Sequence, residues 1–316
     1  MSAATQLRAP FPWFGGKSRA ASIVWDAFGD VRSYVEPFAG SLAVLLARPQ
    51  PFKGAETVND LDCYVANFWR ALRQDPAGVA EHADWPVNEA DLHARHQWLV
   101  DSAAFRERML TDPENFDVRV AGWWVWGQSA WIGSGWCDRR KWRNGPGAQG
   151  VNRQLPRLTG AQGVNRQLPH LTGGRGVRGY MEALASRLRG VRIACGDWTR
   201  VLGAMTDAGR QGRVGVLLDP PYRGARNQAY AAEGTGSSTV ADECAAWATE
   251  NGARAGVRIA LCGYAGDYDM PDGWRVVPWK AVGGYANQSD GRQRNEECVW
   301  LSPECRATGQ LGLFGE

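Results

Sequence analysis

Apolar positions along the chain alternate between two periods. Ser33–Val35 reads as a short strand, and Glu36-Pro37-Phe38-Ala39-Gly40-Ser41 as a tight turn that leads into an apolar helix over 42–47. Ala55–Asn59 reads as a second strand, followed over 61–72 by a helix with Val65, Phe68, Trp69 and Leu72 at helical spacing. The same alternation resumes near Tyr180. Helices are predicted over 181–188, 199–205 and 241–254, and strands over 191–194, 214–218, 257–261, 274–277 and 298–301. Val214–Leu218 is wholly apolar, as expected of a strand buried on both faces. Strands alternating with helices imply a parallel, doubly wound α/β sheet.

The middle of the chain breaks this pattern. Residues 76–118 read as helical, with Leu92, His96 and Leu99, and later Phe105 and Met109, at helical spacing. A tryptophan cluster follows (Trp123, Trp124, Trp126, Trp131, Trp136, Trp142), then a Gly/Arg/Gln/Pro tract in which residues 147–159 recur at 160–172 with only Arg157 and His170 differing. Two such short copies suit a duplication within a tolerant loop rather than a solenoid. The expected organisation is a discontinuous catalytic domain, 1–75 and 176–308, interrupted by a mostly helical, Trp-rich insertion over 76–175, with a disordered tail at 309–316. The tryptophans suit either a small helical core or a stacking surface for bases, with the core the commoner use.

Composition changes this picture little. A chain of 316 residues with 44% hydrophobic and 22% charged residues is ordinary for a globular protein. No stretch has the length of a signal peptide or a membrane span, so a cytoplasmic location is expected. The seven cysteines form no Cys-x-x-Cys pair, and the histidines stand at no zinc-ligand offset from them. Buried free thiols, no disulfides and no metal are the expectation.

Charge distribution is more informative. Twelve Lys or Arg against the single acid Glu182 lie between Arg139 and Arg192; with a whole-chain charge of +3, that +11 segment leaves the remainder at −8. Arg139, Arg140, Lys141 and Arg143, with Arg292 and Arg294 in a later polar loop, are candidate contacts to nucleic-acid phosphates.

The sharpest chemical signal is Asp219-Pro220-Pro221-Tyr222, at the carboxyl end of a buried strand, where open α/β sheets bind ligands. The prolines stiffen the loop and remove backbone donors. That leaves a carboxylate, the Pro220 carbonyl and an aromatic ring, a set suited to an amino group on a flat base.

This tetrapeptide and four other elements resemble the Dam-type N6-adenine DNA methyltransferases. The others are Trp13-Phe14-Gly15-Gly16-Lys17, Glu36-Pro37-Phe38-Ala39-Gly40, Asp60 after Val58-Asn59, and Gly196-Asp197-Trp198. The resemblance covers roughly 1–75 and 180–305. It implies a Rossmann-like methyltransferase sheet, S-adenosylmethionine as cofactor, and double-stranded DNA as partner in a bacterial or phage-infected cell. It implies no metal, and leaves open whether a cognate restriction endonuclease accompanies the chain.

By resemblance, Asp219, Pro220, Pro221 and Tyr222 are catalytic. Trp13, Gly15, Gly16, Lys17, Phe38, Ala39, Gly40, Ser41, Asp60, Asp197, Trp198 and Asp219 hold the cofactor. Asp60 suits ribose hydroxyls, although capping the helix after it is the commoner use of such an aspartate. Asp197 and Trp198 read equally as a cap and a core aromatic. One departure stands out: where the family commonly has a glycine two positions after Gly40, this chain has Leu42. Amino methylation of RNA adenine, of cytosine N4 or of a protein amide, and an inactive nucleic-acid-binding relative, remain as rival readings. A cytosine-C5 enzyme is excluded because no cysteine follows a proline, and a nicotinamide oxidoreductase because no Gly-x-Gly-x-x-Gly follows the first strand.

Overall fold

The computed structural model describes residues 7–13, 16–131, 136–137, 176–203, 212–223, 237–279 and 296–307. The two copies of the repeat, the tail, Gly15 and all six candidate phosphate-contacting residues lie outside them.

Seven strands form one sheet: β1 (Ser33–Glu36), β2 (Glu56–Asp60), β3 (Val191–Cys195), β4 (Val214–Leu218), β5 (Val257–Tyr264), β6 (Arg275–Trp279) and β7 (Glu297–Leu301), in the order β3-β2-β1-β4-β5-β7-β6. The first five positions are parallel neighbours in the doubly wound order. β7 runs antiparallel between β5 and β6. The α/β expectation is met. Every residue of β4 is buried, whereas β6, at the edge, alternates in exposure and tolerates Pro278 in its ladder.

Nine α-helices occur among the described residues: α1 (Ala20–Phe28), α2 (Ala43–Leu46), α3 (Cys63–Gln74), α4 (Pro76–Ala83), α5 (Glu89–Asp101), α6 (Ala103–Thr111), α7 (Val118–Ala130), α8 (Gly176–Leu188) and α9 (Ser237–Asn251). The helix predicted over 199–205 is instead a 3-10 turn at Trp198–Val201 as far as the chain is described. The predicted 42–47 helix is the single turn α2, and α1 was not foreseen. Gly215 in β4 makes room for α1, because a Cβ there would stand 2.7 Å from the Phe28 ring.

Helix α3 is buried along nearly its whole length, packed by the sheet on one side and by α7 on the other. Its cap is Asp62, which accepts hydrogen bonds from the Tyr64 N–H at 2.8 Å and the Val65 N–H. Asp60 is therefore released from the capping role that its position suggested. Asn67 of α3 bonds both ways with the backbone of Asp117, the residue that caps α7. Trp124 and Trp126 of α7 are fully buried, and Trp124 packs against Phe11 and Phe68 at centroid distances of 4.9 and 5.7 Å. The core reading of these two tryptophans holds. Trp123 instead stands beside the exposed Trp98 at 5.6 Å. All seven cysteines are free thiols, six of them buried and Cys137 partly so.

Candidate active site

The matched elements converge at the carboxyl ends of β1 to β4, together with the segment around Lys17. Two backbone N–H groups of the turn after β1 tie it to β2. The Ala39 N–H donates to the Asn59 carbonyl at 2.8 Å, and the Gly40 N–H to Asp60 Oδ2 at 2.9 Å. Gly40 adopts φ +44°, and a Cβ there would fall 2.4 Å from the Trp13 indole nitrogen. Glycine is required on both counts. The Gly40 carbonyl accepts from Trp69 Nε1 at 2.9 Å, so the turn is braced from α3 as well.

Leu42 explains its own departure from the family pattern. It lies at φ +54°, ψ 27°, the left-handed region that favours glycine, yet its side chain is fully buried in the core. Burial of a leucine, worth about 2 kcal/mol, outweighs a backbone cost of roughly 1 kcal/mol.

Asp60 is almost completely buried, its Oδ1 accepting from the Asp62 N–H at 2.9 Å and its Oδ2 from Gly40. Burial first, then the neighbouring Asp62 charge, pushes its carboxyl up to about 7 against the opposing pull of these N–H donors. Asn59, which sequence reasoning passed over, donates from Nδ2 to the Pro37 carbonyl at 3.0 Å and the Gly196 carbonyl at 2.9 Å. One amide thus staples the ends of β1 and β3 together. Asp197 accepts from the Thr199 N–H and caps the 3-10 turn, while the largely buried Trp198 stacks on Phe38 at 6.0 Å. Both residues carry the local structural duty foreseen for them, and both stand beside the Phe38 turn. Ser41 is buried in the same turn, and Gly16 lies next to Lys17.

The tetrapeptide follows β4. Pro220 and Tyr222 are buried, and Asp219 and Pro221 partly so. The Lys17 ammonium lies 3.0 Å from Asp219 Oδ1 and 3.8 Å from Glu297 Oε2. It also stands over the Tyr222 ring at 4.9 Å and the Trp279 ring at 5.7 Å. Burial opposes the lysine's charge, but the carboxylates of Asp219 and Glu297 more than restore it, so Lys17 remains an ammonium. Burial raises the Asp219 carboxyl above its ordinary value, with Lys17 and the Tyr222 hydroxyl working against the rise. Glu36, on β1, is also pushed well up by burial and accepts from the Tyr34 hydroxyl at 3.0 Å.

Glu297 is the residue that sequence reasoning missed. It opens β7 directly opposite Tyr264 of β5 and Trp279 of β6, so the three side chains share one face of the sheet. The Tyr222 hydroxyl donates to Glu297 Oε2 at 3.2 Å, and the Tyr222 ring meets Tyr264 edge-on at 4.8 Å.

Comparison with known families decides how the N-terminal half of this site is read. Residues 13–98 match the D12 class N6 adenine-specific DNA methyltransferases. The resemblance drawn from the motifs is borne out over that stretch, which takes in Trp13 to Lys17, the Glu36–Ser41 turn and Asp60. The tetrapeptide lies beyond the matched stretch and is joined to it by the Lys17–Asp219 pair. No curated protein matches the chain. Among the described residues no group of His, Cys, Asp and Glu is arranged to hold a metal ion, and no helix is long and apolar enough to cross a membrane.

Proposed function

We propose that the chain transfers a methyl group from S-adenosylmethionine to N6 of an adenine flipped out of double-stranded DNA. The observation that carries this reading is Asp219-Pro220-Pro221-Tyr222 at the end of β4, joined through Lys17 to a stretch matching N6-adenine DNA methyltransferases.

The residues at the β1 and β2 ends fit such a cofactor. The absence of a side chain at Gly40 lets the Trp13 indole pack directly on the turn, and the buried Asp60 carboxylate, held by backbone N–H groups, retains a lone pair for a ribose hydroxyl. The cofactor supplies an electrophilic methyl group on a sulfonium. Trp13, Gly15, Gly16, Lys17, Phe38, Ala39, Gly40, Ser41, Asp60, Asp197 and Trp198 are the residues proposed to hold it.

Asp219 and the Pro220 carbonyl accept the two N6 hydrogens of the flipped base, which withdraws the nitrogen lone pair from conjugation and aims it at the methyl. Tyr222 supplies a ring on which the base stacks. Positive charge developing on N6 is stabilised by the Asp219 carboxylate. Because burial raises that carboxyl, it also takes up the surplus N6 proton more readily than an exposed aspartate. Lys17 holds the Asp219 carboxylate at the end of β4. The segments around Arg139–Arg143 and Arg292–Arg294 are proposed to hold the DNA backbone.

Incubation with unmethylated duplex DNA and S-adenosylmethionine, followed by sequencing that maps modified bases, tests the proposal. N6-methyladenine at a defined sequence is expected. Methyl label found only in RNA, in protein or on cytosine would overturn it.

A further inference from the structure

Asp219 must accept hydrogen bonds from the base, yet two strong donors already stand beside it. Lys17 is 3.0 Å away, and the Tyr222 hydroxyl is close enough to help hold the Asp219 charge. If both closed on Asp219, they would compete with the base amine for its acceptor sites. Glu297 competes for both donors. It takes the Tyr222 hydroxyl at 3.2 Å and shares Lys17 at 3.8 Å. Its own place is set by the sheet, between Tyr264 and Trp279 on adjoining strands, and its side chain is only 13% exposed.

Resting on the function proposed above, we infer that Glu297 is a positioning residue for methyl transfer: it draws the Tyr222 hydroxyl, and part of the Lys17 charge, away from Asp219, so that Asp219 stays free to accept the target amino group. The same bond fixes the rotation of the Tyr222 ring against Tyr264. The glutamate touches neither base nor cofactor in this scheme and acts only through Tyr222 and Lys17.

The test is a set of single-turnover and steady-state measurements on the full chain with duplex DNA and S-adenosylmethionine. Glu297→Ala is expected to lower kcat about tenfold, the scale of one hydrogen bond to a charged group, with the KM for DNA within about twofold. Glu297→Gln, whose amide oxygen still accepts from Tyr222, is expected to recover most of that loss. Adding Tyr222→Phe to Glu297→Ala is expected to raise activity above that of Glu297→Ala alone, because the hydroxyl released onto Asp219 is gone and the ring remains. A merely structural glutamate would show no such suppression. Full activity in Glu297→Ala, equal losses in the Gln and Ala variants, or a double variant no better than Glu297→Ala would each overturn the inference while the function stood. Absence of DNA methylation by the unaltered chain would instead overturn the function, and this inference with it.

Discussion

The Lys17 ammonium and the Asp219 carboxylate meet at 3.0 Å, which ties the N-terminal segment to the loop after β4. Lys17 also separates Asp219 from Glu297, so its removal leaves two largely buried carboxylates sharing one chamber. Lys17→Met is expected to cost about 2–3 kcal/mol near pH 8. The sign with pH follows from burial: both carboxyls are already raised, and losing the lysine raises them further. Stability tied to a raised carboxyl is complete below its unfolded value and is lost as pH climbs through the folded one. The deficit should therefore shrink toward pH 4, and urea unfolding at pH 5 and pH 8 checks it. Equal deficits at both would sink the idea.

Asp219→Asn keeps the shape of the side chain but turns one acceptor into a donor, facing either Lys17 or the base amine. Methyl transfer is expected to fall by about a thousandfold, as for loss of a preorganised charge-stabilising group. Thermal unfolding should move by no more than a few degrees. Substantial methylation by this variant would remove Asp219 from the chemistry.

Asp60 gives a pH dependence of its own. Its carboxyl is pushed up to about 7, so near neutrality the ligand-free site is a mixture of acid and carboxylate. A ribose diol donates to the carboxylate, so binding draws the group toward its ionised form. Affinity for S-adenosylhomocysteine should rise with pH through about 7 and level off above about 8. Calorimetric titrations between these limits measure it, together with the proton released on binding. In the free protein the same shift works the other way, its contribution to stability being lost as pH rises through about 7. An affinity independent of pH would argue against a contact with the ribose.

Leu42→Gly separates backbone from side chain. Glycine suits φ +54° and relieves roughly 1 kcal/mol, but deleting the fully buried side chain costs about 3–5 kcal/mol, the lost burial energy plus the cavity left behind. A net loss of about 2–4 kcal/mol is expected from urea unfolding. A variant as stable as the parent would show that Leu42 sits in the turn for some reason other than packing.

Much of the sheet was legible because its inner strands are continuous apolar runs. The apolar run Val214–Leu218 has the bounds of β4, and the sequence alone puts Asp219 at a strand end. Cap assignment was harder. Asp60 and Asp62 both precede α3, and only the geometry shows that Asp62 caps while Asp60 faces Gly40. Helix α1 escaped notice because Arg19, at its N-cap, makes no side-chain cap bond and no acid marks its first turn. Glu297 could not have been found locally. It stands in a polar stretch that becomes part of the site only when β7 inserts antiparallel between β5 and β6. Asn59 was hidden for a similar reason, since its partners at 37 and 196 belong to different strand ends.

Trp124 of α7 packs on Trp13 at 6.3 Å, and Trp13 in turn closes over Gly40. A helix that lies between β2 and β3 in the chain is thus two side chains away from the proposed cofactor turn. Replacing the helices over 76–130 with those of another protein would exchange part of this brace as well. Transplants that carry a tryptophan equivalent to Trp124 should keep their affinity for cofactor. Those that bring a smaller residue are expected to lose it, so the inner face of α7 belongs with the cofactor turn rather than with the rest of its own helical segment.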